Sequence, residues 1–250
     1  MPTADSHCHV SPSWYEPVEV LLFQMERNGV DHAALIQMSG QFDNRYQQEC
    51  LKRYPGKFAS VVVVDVNRES AVADLERWAG EGASGVRFNP DAPLVLWEAA
   101  ARLGLSVSCI GSIARFASPE FDKLFDHLPD LPIVIEHLGA LKWDSEGGEQ
   151  IFALARHPNA YMKIHGLGEF SKRALPAKEP LPFVEPIADL LERAYAAFGP
   201  SRLMWGSDYP PVSSREGYAN ALGFTRERLQ GKDGLDDVFG GTCLRVFPPR

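Results

Sequence analysis

Strand-like segments that alternate with amphipathic helical segments, at about thirty residues per unit, constrain the fold more than any other feature of this sequence. The clearest of them, 58–64, contains a continuous run of valines, which is typical of a parallel strand buried on both faces. Seven further strands are predicted at 5–9, 33–38, 85–88, 105–110, 131–136, 159–164 and 202–207. Eight strands with helices between them predict a parallel sheet with helical crossovers.

Helical spacing of apolar residues predicts the intervening helices. They are expected at 17–28, 42–54, 68–82, 92–103, 118–128, 148–157, 184–198, 215–230 and 235–246. Gly29 is placed to cap the first helix, and Ser118 with Pro119 is placed to begin the fifth. We predict a closed (β/α)8 TIM barrel, with a doubly wound open sheet as the alternative. Residues 1–250 are expected to form a single domain, because no repeat or linker divides them.

Charge and cysteine usage exclude several classes of function. The net charge of −8 argues against a nucleic-acid groove or an anionic membrane surface, and no apolar run approaches the ~20 residues of a membrane span. The start of the chain lacks the basic and apolar regions of a signal peptide. The four cysteines of the chain are scattered without a CxxC pair, which favours reduced thiols and a cytoplasmic protein. A small-molecule substrate, anionic rather than neutral, is expected; the oligomeric state is not predicted.

Two histidines lie within the first strand. His7 and His9 are two residues apart, so on a strand they face the same way about 6.5 Å apart. Further along, His137 follows the sixth strand with the parity of Ile133 and Ile135, and Asp208 follows the eighth. Because chemistry in such barrels collects at the C-terminal ends of the strands, these groups are predicted to surround one mouth. Imidazoles and a carboxylate are zinc-type ligands, and an ionised carboxylate can also take a proton from water.

Other polar and aromatic residues near the strand ends have two interpretations each. Arg87 points inward either as the partner of a core acid such as Asp65 or as a fork for a substrate carboxylate. Lys163 and His165 share one face of the seventh strand, where His165 is either a specificity group or, by preference, a solvent-facing rim residue. Tyr209 and Trp205 line the pocket or belong to the core, whereas Trp14 is predicted on a mouth loop that contacts substrate.

Five motifs, DSHCH, IEHLGA, PNAYMKIHGL, RLMWGSDYP and GGTCLRVF, resemble the amidohydrolase superfamily over nearly the whole chain. The likeness is to the amidohydrolase-related group that contains lactone hydrolases and nonoxidative decarboxylases. It implies a distorted (β/α)8 barrel, metal ligands at His7 and His9, a catalytic imidazole at His137, and Asp208 as ligand or general base. Lys163 matches the usual residue of the group, and His165 replaces what is commonly a serine.

The chain departs from the family pattern at two strands. The fourth strand, GVRFN, has no lysine, so a binuclear site bridged by a carbamylated lysine is not expected. The fifth strand lacks the histidine of mononuclear members, so Ser108 or Cys109 stands in or the metal is absent. We therefore expect either one divalent metal, zinc, held by His7, His9 and Asp208, or no metal at all.

The hypothesis drawn from these observations is a hydrolase that opens a small carboxylated lactone or related cyclic ester. Asp208 would take a proton from water, and His7, His9 and His137 would stabilise the oxyanion. Arg87 and Lys163 would bind the acid group of the substrate. The alternatives are a zinc-dependent nonoxidative decarboxylase of an aromatic or unsaturated acid, and an inactive barrel that binds an acidic metabolite.

Overall fold

A (β/α)8 barrel is present in the computed structural model, which describes residues 1–142, 148–170 and 188–250. The strands are β1 (Ala4–Cys8), β2 (His32–Ile36), β3 (Phe58–Val62), β4 (Gly85–Phe88), β5 (Ser106–Cys109), β6 (Ile133–Ile135), β7 (Ala160–Ile164) and β8 (Leu203–Trp205). The helices are α1 (Val18–Arg27), α2 (Arg45–Arg53), α3 (Ala71–Gly80), α4 (Leu94–Arg102), α5 (Ile113–Phe116), α6 (Pro119–His127), α7 (Gly148–Ala153), α8 (Leu167–Phe170), α9 (Ala188–Phe198), α10 (Tyr218–Arg228) and α11 (Thr242–Val246). The predicted barrel is confirmed, and the open sheet is wrong.

Each strand pairs in parallel with the next, from β1 to β8. Between β8 and β1, hydrogen bonds at the C-terminal end of β1 and just beyond β8 complete the ring. The amide of Asp208 donates to the carbonyl of His7 at 2.8 Å, and the amide of His9 donates to the carbonyl of Tyr209 at 2.7 Å. The register of β1 against β2 shifts between Asp5 and Cys8. Such irregularities re-aim side chains near functional sites, and this one lies at the histidine pair.

Side-chain alternation divides the apolar residues into two clusters. The inner cluster combines small and branched residues of the strands, such as Ala34, Val61 and Val134, with Val246 and Phe247 of the C-terminal segment. The outer cluster lies between the strands and the surrounding helices. Hydrogen bonds tie the C-terminal segment across the N-terminal ends of the strands, as between the hydroxyl of Ser106 and the carbonyl of Val246 at 2.7 Å. The polar end of the barrel is therefore the opposite one.

Buried polar residues occupy the inward positions nearest the C-terminal strand ends. They are Arg87, Ser108, Glu136, Lys163 and His165, none of them more than 6% exposed. Each continues the inward parity of its strand, as Glu136 follows Val134. The barrel therefore changes along its axis from an apolar interior to a polar one.

The helix ends agree with several of the predicted start and stop residues. The hydroxyl of Ser118 accepts the amide of Phe121 at 3.2 Å, with Pro119 in the first turn of α6. Gly29 has φ 63° just after α1. The short helices α5 and α8 were not predicted, and the predicted helix start at 184 lies outside the described residues. Among those described, no helix is long and apolar enough to cross a bilayer.

Candidate active site

Asp5 fixes β1 against the segment after β8. Its carboxylate accepts the amides of His7 at 3.0 Å and Ser207 at 2.8 Å, and the hydroxyl of Tyr218 at 2.9 Å. Gly206 permits the close approach of the two segments, because a Cβ there would lie 2.9 Å from the Cβ of His7. Burial raises the pKa of Asp5, against the effect of these donors. The result is a fixed separation between His7 and the loop that carries Asp208.

Two of the predicted site residues have a left-handed backbone conformation. Asp208 has φ 60° and His137 has φ 50°, and Leu138 and Ala140 beside His137 also have positive φ. Such conformations are strained in residues other than glycine and cluster at functional sites. They also correct the predicted parity of His137. Ile133 and Ile135 belong to the outer cluster, so a regular strand would direct position 137 outward, and the left-handed turn brings it over the mouth instead.

Three of the predicted residues converge on one carboxylate oxygen. Oδ1 of Asp208 lies 3.7 Å from Nε2 of His7 and 3.6 Å from Nε2 of His9. These separations exceed a direct hydrogen bond, so the carboxylate faces both rings without being bonded to either. His9 is oriented by its other ring nitrogen, which contacts the carbonyl of Ile36 at 2.6 Å. The histidine pair and Asp208 therefore meet at one point of the mouth.

Asp208 is ionised at neutral pH. Burial raises its pKa, but the close contact with His9 and the charges of His137, His9 and Arg215 outweigh burial and hold the pKa below its usual value. Nη2 of Arg215 donates to Oδ2 at 2.5 Å, and the Arg215 side chain is 19% exposed. A buried, ionised carboxylate with its second oxygen directed at two imidazoles has the arrangement of a general base.

His165 is a central part of the site. Its ring stacks on that of His7, with centroids 3.9 Å apart and planes 18° apart, and lies 3.7 Å from the ring of His137. The side chain is fully buried, so the preferred interpretation as a solvent-facing rim residue is wrong. Burial and the neighbouring charges of His137 and Lys163 lower its pKa well below the usual value. The ring is therefore neutral. We call His7, His137, His165 and Asp208 the His–Asp cluster.

Arg87 and Glu136 form a buried ion pair beneath this cluster. Nε and Nη2 of Arg87 contact the Glu136 carboxylate at 3.0 Å and 2.6 Å, and Nη1 donates to the carbonyl of Gln37 at 3.2 Å. The predicted partner Asp65 is wrong, because the inward parity of β6 places Glu136 opposite Arg87. Burial raises the pKa of Glu136, but Arg87 and Lys163 outweigh it and bring it to about 2. The guanidinium is thus largely engaged within the protein.

Lys163 completes this buried layer. Its Nζ lies 2.8 Å from the hydroxyl of Ser108 and 3.3 Å from Nδ1 of His7, and Ser108 in turn lies 2.6 Å from Oε1 of Glu136. Burial lowers the pKa of Lys163 to about 8, although Glu136 opposes this effect. The structure thus directs Lys163 to His7 rather than to the open mouth. We call Arg87, Ser108, Glu136 and Lys163 the polar floor.

The His–Asp cluster has the composition and spacing of a metal site. One ligand atom from each of its residues lies within 4.8 Å of the others, and such nitrogens and oxygens are usual zinc ligands. His165, just after β7, supplies a third imidazole, whereas the proposed substitutes Ser108 and Cys109 belong to the polar floor and the outer cluster. One contact is unusual. A metal-bound histidine normally donates its second nitrogen to an acceptor, but Nδ1 of His7 faces Lys163.

An aromatic groove of about 400 Å³ opens beside His9. Trp14, which is 58% exposed, stacks on Tyr15 at 4.5 Å, and Tyr15 lies 5.7 Å from the ring of His9. Gln37 and Gln41 add amide groups to the lining. Tyr209, in contrast, is 2% exposed and belongs to the outer cluster, so the structure places it in the core rather than in the groove.

Sequence reasoning missed three residues that shape the site. Glu136 was detectable, since it has the inward parity of Val134 on β6. Asp5 was also detectable, because it opens the DSHCH motif and a buried carboxylate needs donors. Arg215 gave no signal, because it reaches Asp208 from the irregular segment between β8 and α10.

Comparison with known proteins gives a consistent result. The amidohydrolase family model matches residues 5–248. L-Fucono-1,5-lactonase from Burkholderia ambifaria is 26% identical over 245 residues, which cover 89% of this chain and 82% of that protein.

Solved structures share the barrel. A candidate 2-pyrone-4,6-dicarboxylic acid hydrolase from Pseudomonas putida has a TM-score of 0.80 at 24% identity, covering 98% of this chain and 97% of its own. An amidohydrolase from Burkholderia multivorans with bound zinc also has a TM-score of 0.80, at 17% identity, with 100% of both chains covered. At these identities the likeness establishes the fold alone.

Proposed function

Because the chain belongs to the amidohydrolase family, as the match over residues 5–248 shows, we propose that this hydrolase opens the ring of a small lactone. The resemblance found in its motifs is thereby confirmed. The observation that carries the proposal is the position of Asp208, ionised and 3.6–3.7 Å from two imidazole nitrogens. The lactonase relative from Burkholderia ambifaria supports the substrate class.

Asp208 is the proposed general base. Water attacks the ring carbonyl carbon while Oδ1 of Asp208 takes one of its protons, and the carbonyl oxygen becomes an oxyanion. When the oxyanion collapses, the ring C–O bond breaks and the leaving alkoxide takes the proton from Asp208. The product is a hydroxy acid, and the carboxylate is regenerated. Imidazoles of the cluster face the same gap and supply the polar surroundings in which the oxyanion forms.

The substrate is proposed to be carboxylated and bound by Arg215, which is the cation nearest Asp208 in the described part of the chain. Its guanidinium touches Asp208 and is 19% exposed, whereas Arg87 is paired with Glu136 and Lys163 is fully buried. The aromatic groove would hold the remainder of the ring and its substituents. Stacked aromatic side chains with amides beside them suit a small polar ring.

If a divalent ion such as zinc binds, the His–Asp cluster would hold it, although Lys163 facing Nδ1 of His7 opposes ligation by that ring. When bound, it would supply Lewis-acid polarisation of the carbonyl. The proton transfer assigned to Asp208 does not depend on it. Chelation of the purified protein therefore separates two functions. Lactone hydrolysis is expected to survive, at least in part, whereas the alternative zinc-dependent decarboxylation would be abolished.

The test of the base is Asp208→Asn. Asparagine tolerates the left-handed conformation at this position, so the variant should keep its circular dichroism spectrum while kcat/KM for lactone hydrolysis falls about 10²- to 10⁴-fold. Asp31→Asn, at the opposite end of the barrel, is the matched control and should match wild type. Wild-type turnover by Asp208→Asn would contradict the proposal.

Arg215→Met, assayed with one carboxylated and one neutral lactone, tests whether Arg215 binds the acid group of the substrate. KM for the carboxylated lactone should rise at least about tenfold more than KM for the neutral one, the equivalent of a charge-assisted hydrogen bond. Loss of Arg215 also alters the surroundings of Asp208, but this affects both substrates equally and cancels when the two changes in KM are compared. Equal changes would show that Arg215 does not bind the acid group.

A further inference from the structure

The polar floor is a chain of hydrogen bonds whose directions follow from its chemistry. Glu136, held by Arg87, is a carboxylate that can only accept. Ser108 must therefore donate its hydroxyl hydrogen to Oε1 of Glu136, which leaves its lone pairs to accept from Nζ of Lys163 at 2.8 Å. The chain continues from Lys163 to Nδ1 of His7 at 3.3 Å.

The end of this chain determines where His7 carries its proton. An ammonium group has three donors and no acceptor, so Nδ1 of His7 must accept from Lys163 and the ring proton must be on Nε2. The nearest carboxylate oxygen, Oε1 of Glu136, lies 3.9 Å from Nδ1, beyond hydrogen-bond range, and already accepts from Ser108 and Arg87.

His165 is set in the same tautomer by a different contact. The backbone amide of His137 approaches Nδ1 of His165 at 3.5 Å, and an amide N–H can only donate. The proton of a neutral His165 ring is therefore on Nε2, as in His7. Nε2 of each ring is buried and has no hydrogen-bond partner among the described residues. The two rings stack 3.9 Å apart.

Two buried N–H donors without partners are costly unless a ligand oxygen accepts from them. We propose that His165 joins His7 in forming the oxyanion hole for lactone hydrolysis, and that Lys163 is the positioning residue that holds His7 as a donor. The inference rests on the proposed function and deepens it. It assigns a role to a histidine that the strand position had placed, by preference, on the rim.

The same protons oppose a metal ion at these nitrogens. Ligation through Nε2 requires its lone pair, which shifts the ring proton of His7 to Nδ1, where Lys163 offers no acceptor. Lys163→Gln places an amide oxygen in its stead and should tighten zinc binding to the purified protein by at least about tenfold. Lys163→Met removes the ammonium without adding an acceptor, so it separates the effect of charge from that of the acceptor.

The direct test is the tautomer of each histidine, measured by long-range 1H–15N correlation on 15N-histidine-labelled protein near pH 7. Loss of one ring's signals in His7→Gln and in His165→Gln assigns the two residues. Wild type should show both rings neutral with the proton on Nε2, and Lys163→Met should shift His7 alone toward the Nδ1–H form. A wild-type His7 with its proton on Nδ1, or with both nitrogens protonated, would overturn the role of Lys163. The measurement needs no substrate.

The kinetic test separates a donor from a packing residue. His165→Phe keeps an aromatic ring for stacking but removes the donor, and kcat should fall about 10²- to 10³-fold, the effect of one lost oxyanion donor, with KM changed less than about threefold. His165→Gln restores an N–H near the Nε2 position and should recover part of kcat. His127→Phe, at an exposed site, is the control. If His165→Phe retains wild-type kcat, the assignment of His165 is wrong, whereas failure of Asp208→Asn to lose activity would instead reject the proposed function.

Discussion

The polar floor and the His–Asp cluster lie one above the other at the same barrel end but satisfy their polar groups very differently. In the floor, Arg87, Glu136, Ser108 and Lys163 are joined by hydrogen bonds of 2.6–3.2 Å. In the cluster, ring nitrogens of His7 and His165 are buried without partners among the described residues, and Asp208 and His137 have positive φ. Both layers are buried except at His137, which is partly exposed.

This difference indicates which layer supports the fold and which performs the chemistry. A polar network inside a protein is stabilising only when its members are satisfied, and the floor meets that condition. The cluster retains unsatisfied donors and strained backbone, features that are tolerated where a ligand completes the site. Substitutions in the floor should therefore affect stability first, and substitutions in the cluster should affect turnover first.

The largest stability effect is expected for Glu136→Gln. The substitution removes the charge that compensates Arg87, and breaking a buried pair in this way costs about 3–5 kcal/mol. Urea unfolding of the variant should show this loss. The pair variant Arg87→Met/Glu136→Gln should recover part of it, because the guanidinium that lost its partner is removed as well. A loss below about 1 kcal/mol, in the range of surface pairs, would show that the floor does not support the fold.

The same variant should change the response to acid. The pKa of Glu136 is about 2 in the folded protein against a usual value of 4.5. Because the folded pKa is the lower one, its contribution is complete above pH 4.5 and is lost as the pH falls toward 2. Wild type should therefore lose up to about 1.4 kcal/mol more per pH unit in this interval than Glu136→Gln. Identical acid profiles would contradict the ionised state of Glu136.

The barrel was predictable from the sequence because its causes are local. Valine runs, helix caps such as Ser118, and regular spacing each depend on neighbouring residues, and together they allow few topologies. The meeting of His7, His9 and Asp208 followed from the same logic, since strand ends share one rim. Boundaries were less accurate, with most helices a few residues shorter than the apolar periodicity indicated.

The errors concern residues whose placement depends on distant backbone. His165 was interpreted as a rim residue because its strand position does not reveal the two histidine rings that cover it. The parity of His137 was wrong because four successive positive φ angles redirect the chain. The predicted partner of Arg87 was wrong because its contact with Glu136, from β4 to the end of β6, depends on the register of the strands in the barrel. Of these features, only the turn after β6 has a local sequence signal, which is Gly139. The other two have none.

Ala140→Gly should relieve part of the strain beside the cluster. Ala140 has φ 64°, a conformation that costs other residues of order 1 kcal/mol more than glycine. The variant should gain up to about 1 kcal/mol, a rise of roughly 2–4 °C in Tm for a chain of this length, without an increase in kcat. Ala79→Gly in α3 is the control and should lose about 1 kcal/mol. A decrease in Tm for both variants would show that the turn is not strained.

The smallest effect is expected at Trp14, which belongs to the mouth but to neither layer. Its side chain is 58% exposed and stacks on Tyr15, so Trp14→Ala should change Tm by no more than about 1 °C, as surface substitutions do. KM for the lactone should rise about 2- to 10-fold, the value of one aromatic contact, with kcat unchanged. Phe23→Ala on α1, 53% exposed, is the control and should leave both constants unchanged. An unchanged KM for Trp14→Ala would place the substrate outside the aromatic groove, because a stacked indole at the edge of an occupied groove cannot be removed without loss of contact area.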